Sequence, residues 1–372
     1  MNRKKVAISL GVGLAISAAA LYLSVRNVDF SRLVEVLFSI NFWWAIPAFA
    51  AIAASFVVRV YRWRLILGPM VPTRFWEAYH PTMIGFAVNC ILPGRVGELA
   101  RPGIISRERG ASFFGVFATI AAERVFDLIS LLILFALVMK AVTISPDFTM
   151  TFGKYTLSGE TLNTVAGKML KLVAVLVVGI ILVGVYKTRA AMAWIIMESP
   201  RLVFFLSPMA KDAVKRRVCQ PVVNLMERTA QGFVMLKSPL RIGLCLAMSF
   251  AVWALLGVSW WLMSLGCPFL LAGGQALSIW DLTAAMVIVA FFISLPSVPG
   301  FWGLWEAGGI FALALFGVAA EEALSFNLVN HVVQMVPVIA MGGASAVVKG
   351  VNIWNLAAQK EAVECGEEKT GN

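Results

Sequence analysis

Charge is scarce in this chain. Only 14% of its 372 residues are Asp, Glu, Lys or Arg, against 60% that are hydrophobic. A water-soluble domain of this length needs a far larger polar surface, so that class is excluded at the outset. Histidine is almost missing: the two residues are His80 and His331. The five cysteines, Cys90, Cys219, Cys245, Cys267 and Cys365, stand singly. With no CxxC pair and no Cys/His spacing of a ligand set, neither a disulfide framework nor a metal centre is expected, and no cofactor. The cysteines read as small apolar packing residues. The charge that is present is unbalanced, at +11 net. In so apolar a chain this points to loops lying on anionic headgroups, and no nucleic-acid partner is expected.

Long uncharged runs predict an all-α polytopic membrane protein. Full spans are expected at 6–25, 42–60, 112–139, 169–187, 241–264 and 323–348, each able to cross about 30 Å of hydrocarbon. The first follows Arg3, Lys4 and Lys5 and reads as a retained signal anchor. Phe42-Trp43-Trp44 and Trp260-Trp261 sit at span ends, where an interfacial aromatic belt belongs. Residues 29–40 read as a short amphipathic helix on the outer surface. If both termini are cytoplasmic, the inner segments 1–5, 59–111, 187–241 and 349–372 hold 24 of the 31 Lys and Arg. That asymmetry predicts a multi-pass protein of the cytoplasmic (inner) cell membrane with both ends inside. It also predicts one transmembrane domain, 1–350, whose halves 1–187 and 241–350 flank a basic cytoplasmic loop, 188–240. A disordered tail, 351–372, follows.

Two apolar segments are broken. Residues 75–92 contain His80-Pro81 and stop at Leu92-Pro93-Gly94; residues 279–295 stop at Pro296, and a second run begins after Pro299-Gly300. Under the same charge count the first enters and leaves from the cytoplasm and the second from outside, giving two re-entrant hairpins of opposite orientation. Their tips share a pattern. Pro93-Gly94-Arg95-Val96-Gly97-Glu98 and Pro299-Gly300-Phe301-Trp302-Gly303-Leu304-Trp305-Glu306 both read P-G-x-x-G with a following Glu. Interrupted segments at matching places in two halves mark an inverted-repeat transporter, with its site where the broken helices meet; kinked ordinary spans with coincidental turns are the alternative.

Charges at membrane depth cost about 2.5–3.5 kcal/mol each on insertion scales, so each needs a reason. Glu123 and Asp127 are four residues apart and share a helix face, with Arg124 beside them. They read either as a self-neutralising packing network or as substrate contacts. Arg95, Glu98 and Arg101 surround the first Gly-rich turn, where backbone N–H groups and two guanidiniums suit a phosphate; the same residues could simply lie at the interface. Glu306 falls where a second broken helix would start. Asn327, His331 and Gln334, with Asn330 adjacent, form a polar stripe on the last span that should face the bundle interior. His331 reads as an interhelical hydrogen-bond partner or a proton relay. His80 reads as serving the helix break, and Asp281 as a helix-end acid.

Asn89-Cys90-Ile91-Leu92-Pro93-Gly94-Arg95-Val96-Gly97-Glu98-Leu99-Ala100-Arg101, then Ala122-Glu123-Arg124-Val125-Phe126-Asp127, then Leu295-Pro296-Ser297-Val298-Pro299-Gly300 with Trp302-Gly303 and Glu306, resembles the lysylphosphatidylglycerol-synthase transmembrane family. The resemblance covers roughly residues 5–350 and implies a lipid-translocating membrane domain. Two-domain members join it to a cytosolic domain that attaches an aminoacyl group to phosphatidylglycerol. Here about 24 residues follow the last predicted span, so aminoacyl-lipid synthesis is not expected. The expected activity is movement of an anionic lipid, a phospholipid or a polyprenyl-phosphate-linked species, by a protein that is not an enzyme. Arg95, Arg101 and Arg124 are expected to hold the phosphate; Glu98, Glu123, Asp127 and Glu306 to balance it; Asn89, Asn327, His331 and Gln334 to support the site. An intramembrane lipid-phosphate enzyme using Glu98 or His331, and a non-transporting anchor for a separate synthase, are the alternatives. A lipid-modifying enzyme and a second copy of the chain stay open as partners.

Overall fold

A computed structural model of the chain describes residues 22, 29–92, 95–142, 149–152, 155–158, 171, 174, 178, 186–202, 212–223, 227, 238–272, 274–294 and 299–352. All but residue 22 of the expected span 6–25, nearly all of 169–187, much of both long loops, the tail beyond residue 352, Pro93 and Gly94, and residues 295–298 lie outside the described residues.

The described fold is helical. An amphipathic helix α1 (Phe30–Phe38) is capped by Asp29, and a 3₁₀ turn (Phe42–Trp44) leads into α2 (Ala45–Leu67). The Ser31 and Arg32 N–H groups donate to the Asp29 carboxylate and hold it below the usual carboxylate range. There follow α3 (Phe75–Ile91), α4 (Gly97–Arg109) and α5 (Phe113–Ala141). A small antiparallel hairpin, β1 (Thr149–Phe152) with β2 (Tyr155–Ser158), precedes α6 (Tyr186–Leu202). Then come α7 (Pro239–Leu265), a two-residue ribbon β3 (Leu271–Ala272) with β4 (Gln275–Ala276), α8 (Ile279–Phe292), α9 (Leu304–Ala314) and α10 (Ala320–Lys349). Among the described residues three helices, Phe42–Leu67, Pro239–Leu265 and Ala320–Lys349, are long and apolar enough to cross a membrane. Helix α5 matches them in length, at 29 residues, but carries Glu123, Arg124 and Asp127 in its interior.

One expected boundary moves. The span predicted to end at residue 60 continues to Leu67, so Arg59 and Arg62 are not loop charges but lie on α2, 8% and 0% exposed.

Both broken segments fold as helix–break–helix units. Their four arms are short, at 17, 13, 14 and 11 residues, so each reaches only about 16 to 26 Å. Three of the four starts are fixed locally. Glu77 accepts the Arg74 N–H at 2.7 Å, Ser278 and Asp281 cap α8 reciprocally, and Glu306 accepts the Gly303 N–H at 2.7 Å. The third residue of each P-G-x-x-G pattern takes a positive φ, Arg95 at 54° and Phe301 at 62°. Non-glycine residues adopt this conformation rarely and at a cost of about 1–3 kcal/mol, so both breaks are built into the backbone.

The main core gathers around α8, whose residues from Leu282 to Ala290 are all buried. It packs on α5, α7, α9 and α10 through Leu131, Phe135, Trp260, Leu313 and Phe326. A helix apolar on every side has to be enclosed by protein or lipid, and this one is enclosed by protein. The first pair joins α2, α5 and α10 more closely. A Cβ on Gly97 would fall 1.8 Å from the Gly85 carbonyl oxygen, and one on Gly342 would meet Ala87 at 2.2 Å. Small residues let these helices touch backbone to backbone, as dispersion-driven packing in lipid requires. At the free end of α4, Lys349 pairs with Glu108 at 2.8 Å and Arg109 pairs with Glu77.

Candidate functional site

Helix α5 presents Glu123 and Asp127 on the face that α2 and α4 cover. Glu123 meets Arg124 at 2.8 Å, Arg101 at 2.9 Å and Arg62 at 3.2 Å. Asp127 is paired with Arg62, and lies 3.6 Å from Arg124 and 3.7 Å from Arg59. Arg62 also donates to Ser249 Oγ on α7, and the Arg101 guanidinium covers the Trp63 ring at 4.2 Å. Four helices are thus tied together through two carboxylates. Removing one partner from such a buried network strands the others and costs about 3–5 kcal/mol.

Next to this network lies a cavity of about 460 Å³. Its lining includes Arg59, Asn89, Arg95, Glu98, Arg124 and Asp127 from the first half of the chain and Ser294, Gly300, Phe301, Trp305, His331 and Gln334 from the second. Residues of both helix breaks therefore line it. They touch directly, because Arg95 Nη2 donates to the Ile293 carbonyl at 2.9 Å, just past the end of α8. Asn89 Oδ1 accepts the Gly97 N–H at 2.8 Å and pins the first break.

His331 pins the second. Its Nε2 lies 2.7 Å from the Gly300 carbonyl and its Nδ1 2.8 Å from Glu306 Oε1. A carbonyl oxygen only accepts, so Nε2 carries a proton. Nδ1 and Glu306 then share one further proton, and the pair is neutral whichever partner holds it. Trp302 and Trp305 pack on the imidazole with ring centroids 4.5 and 4.6 Å away.

The residues expected at the site thus divide. Arg95, Glu98, Arg124, Asp127, Asn89, His331, Gln334 and Gly300 reach the cavity wall. Arg101, Glu123, Glu306 and Asn327 are buried behind it. Arg101 is therefore occupied by Glu123 rather than free for a phosphate. The two following glutamates also differ: Glu306 caps α9, whereas Glu98 forms no hydrogen bond or ion pair among the described residues and faces the cavity. Gly97 serves close packing, while Gly303 serves a φ of 85° at the start of α9, and Pro299 opens the 3₁₀ turn before it. Sequence reasoning missed Arg59 and Arg62. Their signal was the apolar run Val60, Trp63, Ile66 and Leu67 continuing past them, which a loop would lack.

An all-helical membrane protein with two broken helix pairs meeting at a cation-rich cavity is the class this geometry defines. The chain belongs to the family described as the lysylphosphatidylglycerol synthase TM region, whose model matches residues 10–342. That membership places it among membrane proteins of lipid metabolism or transport. No curated protein matches the chain.

Proposed function

We propose that the protein is a carrier, not an enzyme, that moves an anionic lipid across the cytoplasmic membrane. Its lipid is a glycerophospholipid or a polyprenyl-phosphate-linked species. The observation that carries this reading is the contact between the two breaks at a cavity lined by Arg59, Arg95 and Arg124. A space of about 460 Å³ suits a headgroup but not two acyl chains. The headgroup enters while the tails stay in the bilayer. In this reading the arms too short to span form two re-entrant hairpins of opposite orientation, an inverted repeat within a six-span domain with both termini cytoplasmic. Alternating access then requires Arg95 to release Ile293 and His331 to hold or release the Gly300 tip. Arg101 and Glu123 keep Arg62 and Arg124 in place.

Purified full-length protein in sealed vesicles, with fluorescent phosphatidylglycerol in one leaflet, tests this. The expected result is protein-dependent loss of leaflet asymmetry with the lipid chemically unchanged. A modified lipid would transfer the site to an enzyme, and no movement would refute the carrier.

A further inference from the structure

Among the described residues, the charges around the cavity do not cancel. The guanidiniums of Arg59, Arg62, Arg95, Arg101 and Arg124 face the carboxylates of Glu98, Glu123 and Asp127, five against three. The His331–Glu306 pair adds nothing, since its hydrogen bonds hold one proton between the two groups beyond that on Nε2. Two positive charges are therefore uncompensated in a largely apolar surround, where a lone charge is costly.

The excess is local. Arg59 is 8% exposed, makes no hydrogen bond among the described residues, and approaches a carboxylate only at 3.7 Å. Its other neighbours are the rings of Phe56 and Phe86, 6.0 and 5.4 Å from the guanidinium carbon. Its guanidinium, with five N–H donors, is thus held at the cavity wall with one long ion pair to Asp127 and no hydrogen bond among the described residues. The buried Nε of Arg124 and the buried amide nitrogen of Gln334, both on residues that line the cavity, also lack hydrogen-bond partners among the described residues.

Resting on the carrier reading, we propose that the cavity selects a phosphomonoester over the phosphodiester of an ordinary phospholipid. A phosphodiester brings one negative charge and leaves one guanidinium uncompensated. A phosphomonoester has a second pKa of about 6 and brings nearly two charges at neutral pH, with three acceptor oxygens for the unpartnered donors.

The test is native mass spectrometry of the full chain in detergent at neutral pH, with equimolar phosphatidic acid and phosphatidylglycerol of identical acyl chains. Phosphatidic acid should be bound in preference by about tenfold. Arg59→Gln lowers the excess to one and should level the two lipids. Because Arg59 is buried, the folded state of that variant is checked by its unfolding temperature. Glu98→Gln, at the cavity wall, provides a second variant: it raises the excess to three and should widen the preference. Equal binding by the wild type, or no widening in Glu98→Gln, overturns the proposal. Inorganic phosphate separates the sources. If it displaces phosphatidic acid at equal concentration, the dianion selectivity stands and the lipid-carrier reading fails. If vesicles show lipid movement without any preference between the two headgroups, the carrier stands and the selectivity fails.

Discussion

Glu123 and Arg95 sit within one site yet do opposite kinds of work, and substitution separates them. Glu123 is fully buried and meets three guanidiniums. Glu123→Gln should therefore destabilise the fold by about 3–5 kcal/mol, read as a lower unfolding temperature in detergent. Arg95 is exposed to the cavity, and its side-chain hydrogen bond is to a backbone carbonyl. Arg95→Ala should leave that temperature within the range of an ordinary surface change, about 0.5 kcal/mol. The sequence made Glu123, Arg124 and Asp127 conspicuous, since three charges in a long apolar helix demand partners. It did not identify those partners. Arg59 and Arg62 sit at the end of an apolar run, where arginine is also normal at a headgroup interface. Only helix α2 continuing to Leu67 removes them from that setting.

Among the elements, the two breaks were legible and their fastening was not. Pro and Gly punctuate a helix through the backbone alone, so residues 75–92 and 279–295 announced their ends within a few positions. The long-range bonds that hold the breaks, Asn89 to Gly97 and His331 to Gly300, depend on which faces meet, and residue spacing does not encode that. Gly85 went unnoticed for the same reason, as its need for no side chain comes from the Arg101 side chain and the Gly97 carbonyl on the next helix. Gly97→Ala should force α3 and α4 apart and lower the unfolding temperature. Gly103→Ala, on the same helix with open space around it, should not. His331→Ala should release the second break. Hydrogen exchange at residues 299–303 would rise while that of α2 stays as in the wild type.

For the whole molecule, the proposed carrier function turns on the orientation of the two pairs. In a cysteine-free background, Gln275→Cys and Ala319→Cys flank the second pair at exposed positions, and Pro72→Cys and Arg107→Cys flank the first. A membrane-impermeant thiol reagent should label the first two from outside and the second two only after the membrane is opened. Labelling of the two flanks of one pair from opposite sides would make that pair a kinked full span. The family match and the apolar helices agree on a membrane protein without deciding this point, because neither reports which side a loop faces.

The measurement closest to the central claim is the rate at which purified protein equilibrates a labelled anionic lipid between vesicle leaflets, wild type against Arg95→Ala. A carrier should show rapid equilibration in the wild type and a rate lower by about tenfold or more in the variant at unchanged unfolding temperature. Equal rates in the two would contradict it, for then the cavity between the breaks is not the path of the headgroup.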